Sequence, residues 1–241
     1  MNIEFSSIDN SDQGERDTQS APNRLPPGLT EDAALALIKN ADVTPEALAQ
    51  LAKNPIASKS RKIVIALASH SRTPRHISIP LLRGMFTFDL MNLALTPAIA
   101  PDVKRAAEEQ LIMRLESLPV GQKITLARQA SGRVAAALLQ TSDQRIISPA
   151  LDNKQLTEAL VVQALMKPRS PERLFVLVSD HPSWQLRREI QIALLRSGKT
   201  PLERARVFAN NFSKDFLSDI LPDDRMSLLI SGLKEAETDL N

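Results

Sequence analysis

The three histidines are the first candidates for catalysis or metal binding, because an imidazole can act as a base or as a metal ligand. His70, His76 and His181 lie at predicted helix ends or in linkers, and no two are four residues apart as in a zinc-binding helix. Cysteine is absent, which excludes a thiolate site and a disulfide. The sequence therefore predicts no metal site, and helix-ending or solvent-exposed roles for the histidines.

Ser179, Asp180 and His181 contain the residue types of a hydrolytic triad, but adjacent side chains in a turn cannot form the required relay. We expect them to end a helix. Asp223 and Asp224 are expected to start a helix rather than to bind a cation. No glycine-rich phosphate loop is present. These patterns predict a non-enzyme without a cofactor, and an unrecognised hydrolase or glycosylase is the least favoured alternative.

Basic side chains provide the first candidate binding surface. Arg61 and Arg188 each lie six residues after a proline, so stacked repeats could align them in one ridge that follows a phosphate backbone. Base-stacking aromatic residues are nearly absent, which disfavours recognition of single strands. The candidate basic ridge comprises Lys59, Arg61, Lys62, Arg72, Arg75, Arg187, Arg188, Arg196, Lys199, Arg204 and Arg206.

A cluster of methionine and phenylalanine provides the second candidate, a hydrophobic groove for a partner helix. Its members are Met85, Phe86, Phe88 and Met91. Large apolar side chains are more often buried than exposed, so we favour the alternative that this cluster forms the densest part of the core.

The net charge of +2 is unevenly distributed along the chain. Residues 1–29 carry −3 and residues 215–241 carry −5, which leaves +10 on residues 30–214. A basic body attracts acidic partners such as nucleic acid, anionic lipid or an acidic protein surface. A soluble, solvated helical surface explains the same charges, and we favour that interpretation.

Composition and helix-start signals indicate an all-α fold. Aromatic residues are only 3% of the chain, whereas alanine and leucine dominate its apolar content, as in stacked helices. A hydroxyl residue followed by proline predicts an N-cap and a first helical residue. Four such pairs occur, at Thr44-Pro45, Thr73-Pro74, Ser170-Pro171 and Thr200-Pro201. Thr30 and Thr157 are proline-free versions of this signal.

Two segments match each other in the spacing of their apolar residues. Relative to Pro45 and to Pro171, apolar side chains fall at offsets 3, 6 and 7. Relative to Pro55 and to Pro182, they fall at offsets 8, 11 and 12, and the next helix-starting proline follows 19 residues later in both. Spacings of three and four indicate helices, and the period of about 30 residues predicts a stacked helix-pair repeat.

Residues 44–55, 150–165 and 186–209 resemble the HEAT-like and leucine-rich-repeat-variant families of bacterial α-helical repeats. The resemblance covers roughly residues 30–221 and implies an α-solenoid of about five or six helix pairs, a fold reused for many partners. The second family is associated with an N-terminal cysteine cluster that holds iron–sulfur, which this cysteine-free chain cannot form. HEAT-like DNA glycosylases use aromatic and acidic groove residues, whereas the lone Trp184 predicts a packing anchor.

The predicted organisation is a disordered acidic tail over residues 1–29, followed by the solenoid over residues 30–241 with an acidic C-terminal cap. No signal-peptide pattern and no apolar run of about 20 residues occur, so we expect a cytoplasmic protein without a membrane span. The leading hypothesis is a non-enzymatic scaffold that binds a protein or peptide on its concave face. The alternative is nucleic-acid binding through the candidate basic ridge.

Overall fold

The computed structural model describes residues 28–222 and 226–227. Residues 28–222 form fifteen α-helices and two 3-10 helices and contain no β-strand, which confirms the predicted all-α class. None of the described helices combines the length and apolar composition that crossing a membrane requires. Most of the predicted disordered tail and most of the predicted acidic cap, with Asp223 and Asp224, lie outside the described residues.

The described helices fall into two compact units, which meet in sequence between Leu81 and Leu82. The first unit contains α1 (Glu31–Lys39), α2 (Pro45–Lys53), α3 (Pro55–Lys59), α4 (Arg61–Ser69) and α5 (Arg75–Leu81). The second unit contains α6 (Thr87–Leu95), α7 (Pro101–Arg114), α8 (Val120–Gln129), α9 (Gly132–Leu138), α10 (Gln144–Leu151), α11 (Glu158–Leu165), α12 (Glu172–Asp180), α13 (Arg188–Ser197), α14 (Leu202–Ala209) and α15 (Lys214–Ile220). Its 3-10 helices are Leu82–Gly84 and Leu115–Ser117.

Side-chain oxygens begin several helices by accepting a hydrogen bond from a backbone N–H that has no partner inside the helix. The Thr30 hydroxyl accepts from the Ala33 N–H at 3.3 Å, and the Thr44 hydroxyl accepts from the Ala47 N–H at 3.2 Å. Both helix starts are those that the sequence predicts. Pro45 then occupies the first position of α2, where its missing N–H costs no hydrogen bond.

The other three hydroxyl–proline pairs do not cap the helices that follow them, contrary to the prediction. In the two later pairs, proline itself is the N-cap, so the hydroxyl lies one residue too early to reach the free N–H groups. Ser170 donates instead to the Ala164 carbonyl at 2.5 Å, and Thr200 donates to the Leu194 carbonyl at 2.6 Å. The Thr73 hydroxyl is buried without a hydrogen-bond partner among the described residues. Two predicted caps therefore stabilise the end of the preceding helix.

The core of the first unit lies where α1, α2 and α3 pack on α4. Leu48 and Leu51 of α2 meet Ile63 and Leu67 of α4, and all four side chains are completely buried. Ile38 of α1 completes this cluster. Because full burial of each such side chain contributes about 1.5–3 kcal/mol, these helices stabilise one another through apolar contact.

Seven of the α-helices of the second unit form two rows. One row consists of α7, α9, α11 and α13, each in contact with the next, and the other consists of α8, α10 and α12. Helices consecutive in sequence also touch across the rows, as α8 does with α9 and α12 with α13. Apolar side chains fill the space between the rows, including the completely buried Leu126, Leu139, Ile147 and Val161.

The two segments that match in sequence occupy α2–α4 of the first unit and α12–α13 of the second. Most of their matched apolar positions are completely buried. These positions are Leu48, Leu51, Ile63 and Leu67 in the first segment and Leu174, Val178, Ile190 and Leu194 in the second. Offsets 3, 8 and 12 are therefore completely buried in both segments, whereas offset 6 is completely buried only in the first segment and offset 7 only in the second.

In each of three helical segments, a basic side chain at the C-terminal end donates a hydrogen bond to a backbone carbonyl just before the first helix. Arg72 Nη1 donates to the Val43 carbonyl at 3.1 Å across α2–α4, and Lys199 Nζ donates to the Ser170 carbonyl at 2.9 Å across α12–α13. Each donor lies 29 residues after its acceptor. Each acceptor directly precedes an N-cap, and its residue is nearly completely buried. The cation therefore satisfies a carbonyl that burial would otherwise leave without a partner.

Arg114 makes the third such contact, across α6–α7. Its Nη1 donates to the Met85 carbonyl at 2.7 Å, again 29 residues earlier, and its Nη2 donates to the Arg83 carbonyl at 2.6 Å. We call the contacts of Arg72, Arg114 and Lys199 the cation closures. They are hydrogen bonds from charged donors, the stronger class of hydrogen bond in proteins.

Gly132 allows a close backbone approach between a helix and a loop in the second unit. A Cβ atom at this position would lie 2.1 Å from the carbonyl oxygen of Gln155. The loop is held there by Asn153, whose side-chain amide donates to the carbonyls of Ala127 at 2.8 Å and of Ala130 at 3.0 Å. Only glycine leaves room for this loop at the start of α9.

Replacement of Gly132 by alanine is expected to lower the free energy of unfolding by about 1–3 kcal/mol, because the backbone must move to accommodate the added methyl group. Urea denaturation followed by the fluorescence of Trp184, the one tryptophan of the chain, measures this change. Gly121→Ala in α8 is the matched control, since no atom lies within 4 Å of its added Cβ. Equal effects of the two substitutions would contradict the close approach.

Arg114→Met is expected to destabilise the protein by about 2 kcal/mol, because it removes charged hydrogen bonds from carbonyls and retains the aliphatic stem. Thermal or urea denaturation measures the loss. Arg105→Met on the same helix is the control: its ion pair with Glu109 is largely exposed and is worth less than about 1 kcal/mol. A loss at Arg114 no larger than at Arg105 would show that the closure adds no stability.

Candidate functional site

The side chains of Ser179, Asp180 and His181 have three separate partners. Ser179 donates to a backbone carbonyl one turn earlier at 2.8 Å, and Asp180 accepts from Arg204 Nε at 2.7 Å. His181 Nε2 lies 3.2 Å from Asp152 Oδ1. Helix α12 ends at Asp180, as predicted. The three residues therefore end a helix and do not form a catalytic relay.

The other two histidines lie at the end of α4 and on α5. His70 follows the last residue of α4, and its Nδ1 accepts a hydrogen bond from the Arg72 N–H at 3.2 Å. Burial lowers the pKa of His70, and the charge of Arg72 lowers it further. His76 is exposed on α5. Across the described ranges, no three His, Cys, Asp or Glu side chains converge as metal ligands.

The first-unit members of the candidate basic ridge are Lys59, Arg61, Lys62, Arg72 and Arg75. Lys62 Nζ lies 3.2 Å from Glu31 Oε1, and the hydrogen bond from Lys62, followed by one from Ser60, lowers the pKa of the Glu31 carboxyl. Arg72 makes a cation closure and so has a structural partner. Lys59 and Arg61 are exposed.

Two second-unit members of the ridge pair with carboxylates. Arg204 Nη2 lies 2.7 Å from Asp180 Oδ1, and Arg187 Nη1 lies 3.8 Å from Glu158 Oε2. Arg196 is exposed at the end of α13 and has no ion-pair partner in the described part of the chain. Because a nearby carboxylate offsets the charge of each paired arginine, these two residues add less positive potential to the surface than two unpaired arginines would.

Aromatic rings hold two further members of the ridge. The Arg188 guanidinium lies over the rings of Phe212 and Phe216, at 5.3 and 5.4 Å from their centroids. Lys199 Nζ, which makes a cation closure, also lies 5.5 Å from the centroid of the Phe175 ring. Cation–π contacts of this kind stabilise the fold. The predicted alignment of Arg61 with Arg188 involves two units and stays a prediction.

Arg206 is the remaining member of the ridge. Its Nε atom is buried and has no hydrogen-bond partner among the described residues, although the side chain as a whole is half-buried. A guanidinium in this position belongs to the packing of α14 rather than to an open surface. Of the six second-unit members, Arg196 is therefore the most available to an external anion.

The predicted hydrophobic groove of Met85, Phe86, Phe88 and Met91 divides between core and surface. Met85 and Met91 are buried, at 4% and 7% exposure, as the core interpretation predicts. Phe86 is 65% exposed and Phe88 is 37% exposed. The four side chains therefore do not line one groove.

A different groove runs along the first row of helices in the second unit. It consists of two adjoining cavities of about 340 and 170 Å³, which share Ile112 of α7, Ala137 of α9 and Lys167 after α11. We call these two cavities the row groove. Ala136 and Leu160 add apolar surface, and Gln163 and Gln140 add amide groups. The alanines of α9 are too small to fill the space beside their neighbours, which leaves this groove open.

Charged side chains border the row groove. Arg133 Nη1 lies 2.8 Å from Glu108 Oε2, and Lys123 Nζ donates to the Glu116 backbone carbonyl at 3.2 Å. Lys167 is exposed and has no ion-pair partner within residues 28–222. Sequence reasoning missed this surface, because Lys123, Arg133 and Lys167 share no repeat offset. The one local signal was the run of alanines in α9.

A second cleft, of about 620 Å³, lies between the ends of α8 and α10 and is more polar than the row groove. Its lining includes Arg128, Asp152, Asn153 and Lys154. The buried amide of Asn153 already donates to two carbonyls and accepts from the Gln155 N–H at 2.7 Å. The cleft therefore presents no unsatisfied buried group to a ligand.

No family model, no curated protein and no solved structure matches this chain. The HEAT-like and leucine-rich-repeat-variant resemblance consequently stays a prediction from sequence, and the function has to be inferred from the surfaces of the molecule itself.

Proposed function

We propose that this chain is a non-enzymatic α-helical repeat protein of the HEAT-like type, which binds a segment of a protein partner in the row groove. The observation that carries the proposal is the groove itself, an apolar channel lined by three successive helices of one row. Grooves between stacked helices are the binding surfaces that α-helical repeat proteins commonly present.

Three features support the repeat architecture. The cation closures of Arg72, Arg114 and Lys199 each connect residues 29 positions apart. Three of the six matched apolar offsets are completely buried in both units, and α7, α9, α11 and α13 contact one another in sequence order. A solenoid has this pattern, because each helix pair buries its apolar face against the next pair.

The state of the polar residues favours binding over catalysis. His70 and His181 accept turn hydrogen bonds through Nδ1, and the carboxylates of Asp180 and Glu108 pair with arginines. Groups committed to such contacts are poorly placed to transfer protons to a substrate. The row groove, in contrast, offers apolar surface, amides and exposed cations, the chemistry of a peptide-binding site.

Selection of a displayed random peptide library on the full chain tests the proposal. Selected peptides are expected to bind in solution, and Ala137→Gln is expected to weaken them about tenfold, because the longer side chain occupies space shared by both cavities. Ala106→Gln is the control, a half-exposed helical alanine of α7 outside the groove lining. Fluorescence anisotropy measures the affinities, and circular dichroism checks that both variants fold.

Failure to select any peptide, or equal effects of Ala137→Gln and Ala106→Gln, would contradict the proposal. The first result would remove peptide binding as a function. The second would place the binding surface elsewhere on the chain.

Nucleic-acid binding is the second candidate function, and one observation favours it. Lys167, Arg169 and Arg196 are exposed, lie at the ends of α11 and α13, and have no ion-pair partner among the described residues. The same two chain segments meet at Lys199 Nζ, which lies 3.4 Å from the Pro168 carbonyl. Neighbouring free cations of this kind could contact a phosphate backbone.

A gel-shift titration with duplex DNA over a salt series tests this candidate. Binding through about three phosphate contacts predicts that the logarithm of affinity falls with the logarithm of salt concentration with a slope of about −3. The triple substitution of Lys167, Arg169 and Arg196 by glutamine should abolish the slope. Absent binding at low salt, or binding unaffected by the triple substitution, would remove the candidate.

A further inference from the structure

The Arg133–Glu108 pair at the row groove presents mainly its positive partner to solvent. The Arg133 side chain is 39% exposed, whereas that of Glu108 is only 12% exposed. Arg133 Nη2 also lies 3.9 Å from Glu109 Oε1, at the edge of the ion-pair range. The carboxylate of Glu108 therefore lies beneath the guanidinium, and a ligand in the groove meets the guanidinium first.

Two lysines add positive charge that no carboxylate of the described residues pairs with. Lys123 donates to a backbone carbonyl at the rim, that of Glu116, which is a partner without formal charge. Lys167 lines both cavities and has no acidic partner in the described ranges. Glu116 is the one acid among the residues that line the two cavities. With the charge of Arg133 balanced by Glu108, two lysines and one acid still leave the groove with a net positive charge.

The positive charge continues beyond one end of the groove. Arg169 follows Lys167 by two residues and is exposed. Lys199 Nζ lies 3.4 Å from the Pro168 carbonyl, which brings the basic end of α13 beside this loop. A ligand that leaves the groove past Lys167 therefore meets further cations.

The floor of the groove is apolar. Ile112 and Leu160 are half-buried, Ala136 is 8% exposed, and Ala137 is half-buried between the two cavities. Because alanine side chains end at Cβ, the cavities have room for larger side chains of a ligand. A phosphate backbone has no apolar group that would use this floor, whereas a peptide has.

The extent of the groove sets the length of the ligand. Neighbouring helices in a row lie about 8–10 Å apart, so three helices span about 16–20 Å. A helical peptide of about 12 residues, or an extended peptide of about six residues, covers this distance.

We propose that the partner segment is an acidic peptide, with apolar side chains that enter the two cavities and carboxylates that pair with Lys123, Arg133 and Lys167. The inference rests on the proposed function and names the chemistry of its ligand. Lys167 makes the central contact, since it borders both cavities and is available for a new partner. The apolar floor supplies contact area, and the cationic rim selects against basic or neutral peptides.

The test uses the peptides selected from the displayed random 12-residue library. The enriched sequences are expected to combine Asp or Glu with Leu, Ile, Met or Phe. Lys167→Glu is expected to weaken their binding about tenfold at low salt, because attraction becomes repulsion of similar size. Lys214→Glu is the matched control, since it changes the net charge equally at an exposed lysine of α15 outside the groove, and it should leave the affinity within about twofold.

Salt dependence provides a second readout that a folding defect does not mimic. The unsubstituted protein is expected to bind the peptides about tenfold more tightly than Lys167→Glu at about 0.1 M salt, but only about twofold more tightly at about 1 M salt. The ratio of affinities falls because the screening length falls from about 10 Å to about 3 Å. Circular dichroism of both glutamate variants verifies the fold.

The outcomes separate this inference from the function on which it rests. One outcome is that the enriched peptides are neutral or basic, and that Ala137→Gln weakens their binding whereas Lys167→Glu does not. This outcome would overturn the acidic ligand and keep the groove as a binding site. Competition by duplex DNA combined with indifference to Ala137→Gln would assign the cations to nucleic acid instead. Absence of any enriched peptide would overturn both proposals.

Discussion

Short helices are the constraint on which this structure depends. The described α-helices range from five residues in α3 to fourteen in α7. An isolated helix shorter than about 12–15 residues is marginal in water, so few of these would persist alone. Each gains stability by burying leucine, isoleucine, valine and alanine side chains against its neighbours. The helix rows of the second unit follow from this requirement, because a row gives every inner helix two neighbours.

The same constraint determines how the basic residues are used. Short helices bring many helix starts and ends into the structure, and each end leaves backbone groups without partners. The cation closures place Arg72, Arg114 and Lys199 on buried carbonyls next to helix starts. Aromatic rings and carboxylates engage Arg188 and Arg204. The number of basic residues therefore overstates the positive charge at the surface of this protein. The cations that have no such partner are fewer and lie in a smaller part of the surface.

The row groove arises from the packing of α9 against its surroundings. Gly132 allows the Gln155 carbonyl to approach the start of this helix, and α9 carries alanines at the positions that face α7 and α11. Small side chains there permit close packing on one side and leave two cavities on the other. The rim is cationic because the Arg133–Glu108 pair exposes its guanidinium and because Lys167 has no ion-pair partner in the described part of the chain. The fold and the proposed binding chemistry therefore depend on the same set of residues.

Local pattern alone determined the all-α class, the helix starts at Thr30 and Thr44, and the burial at offsets 3, 8 and 12 of the matched segments. These features depend on residues within about four positions of one another, because helical geometry is local. Tertiary structure decided the partners of Ser170, Thr200 and the cation-closure residues, the exposure of Phe86 beside the buried Met85, and the row groove. Most of these depend on segments about 20–30 residues apart meeting in space, and no local spacing in a single sequence specifies which loops come together.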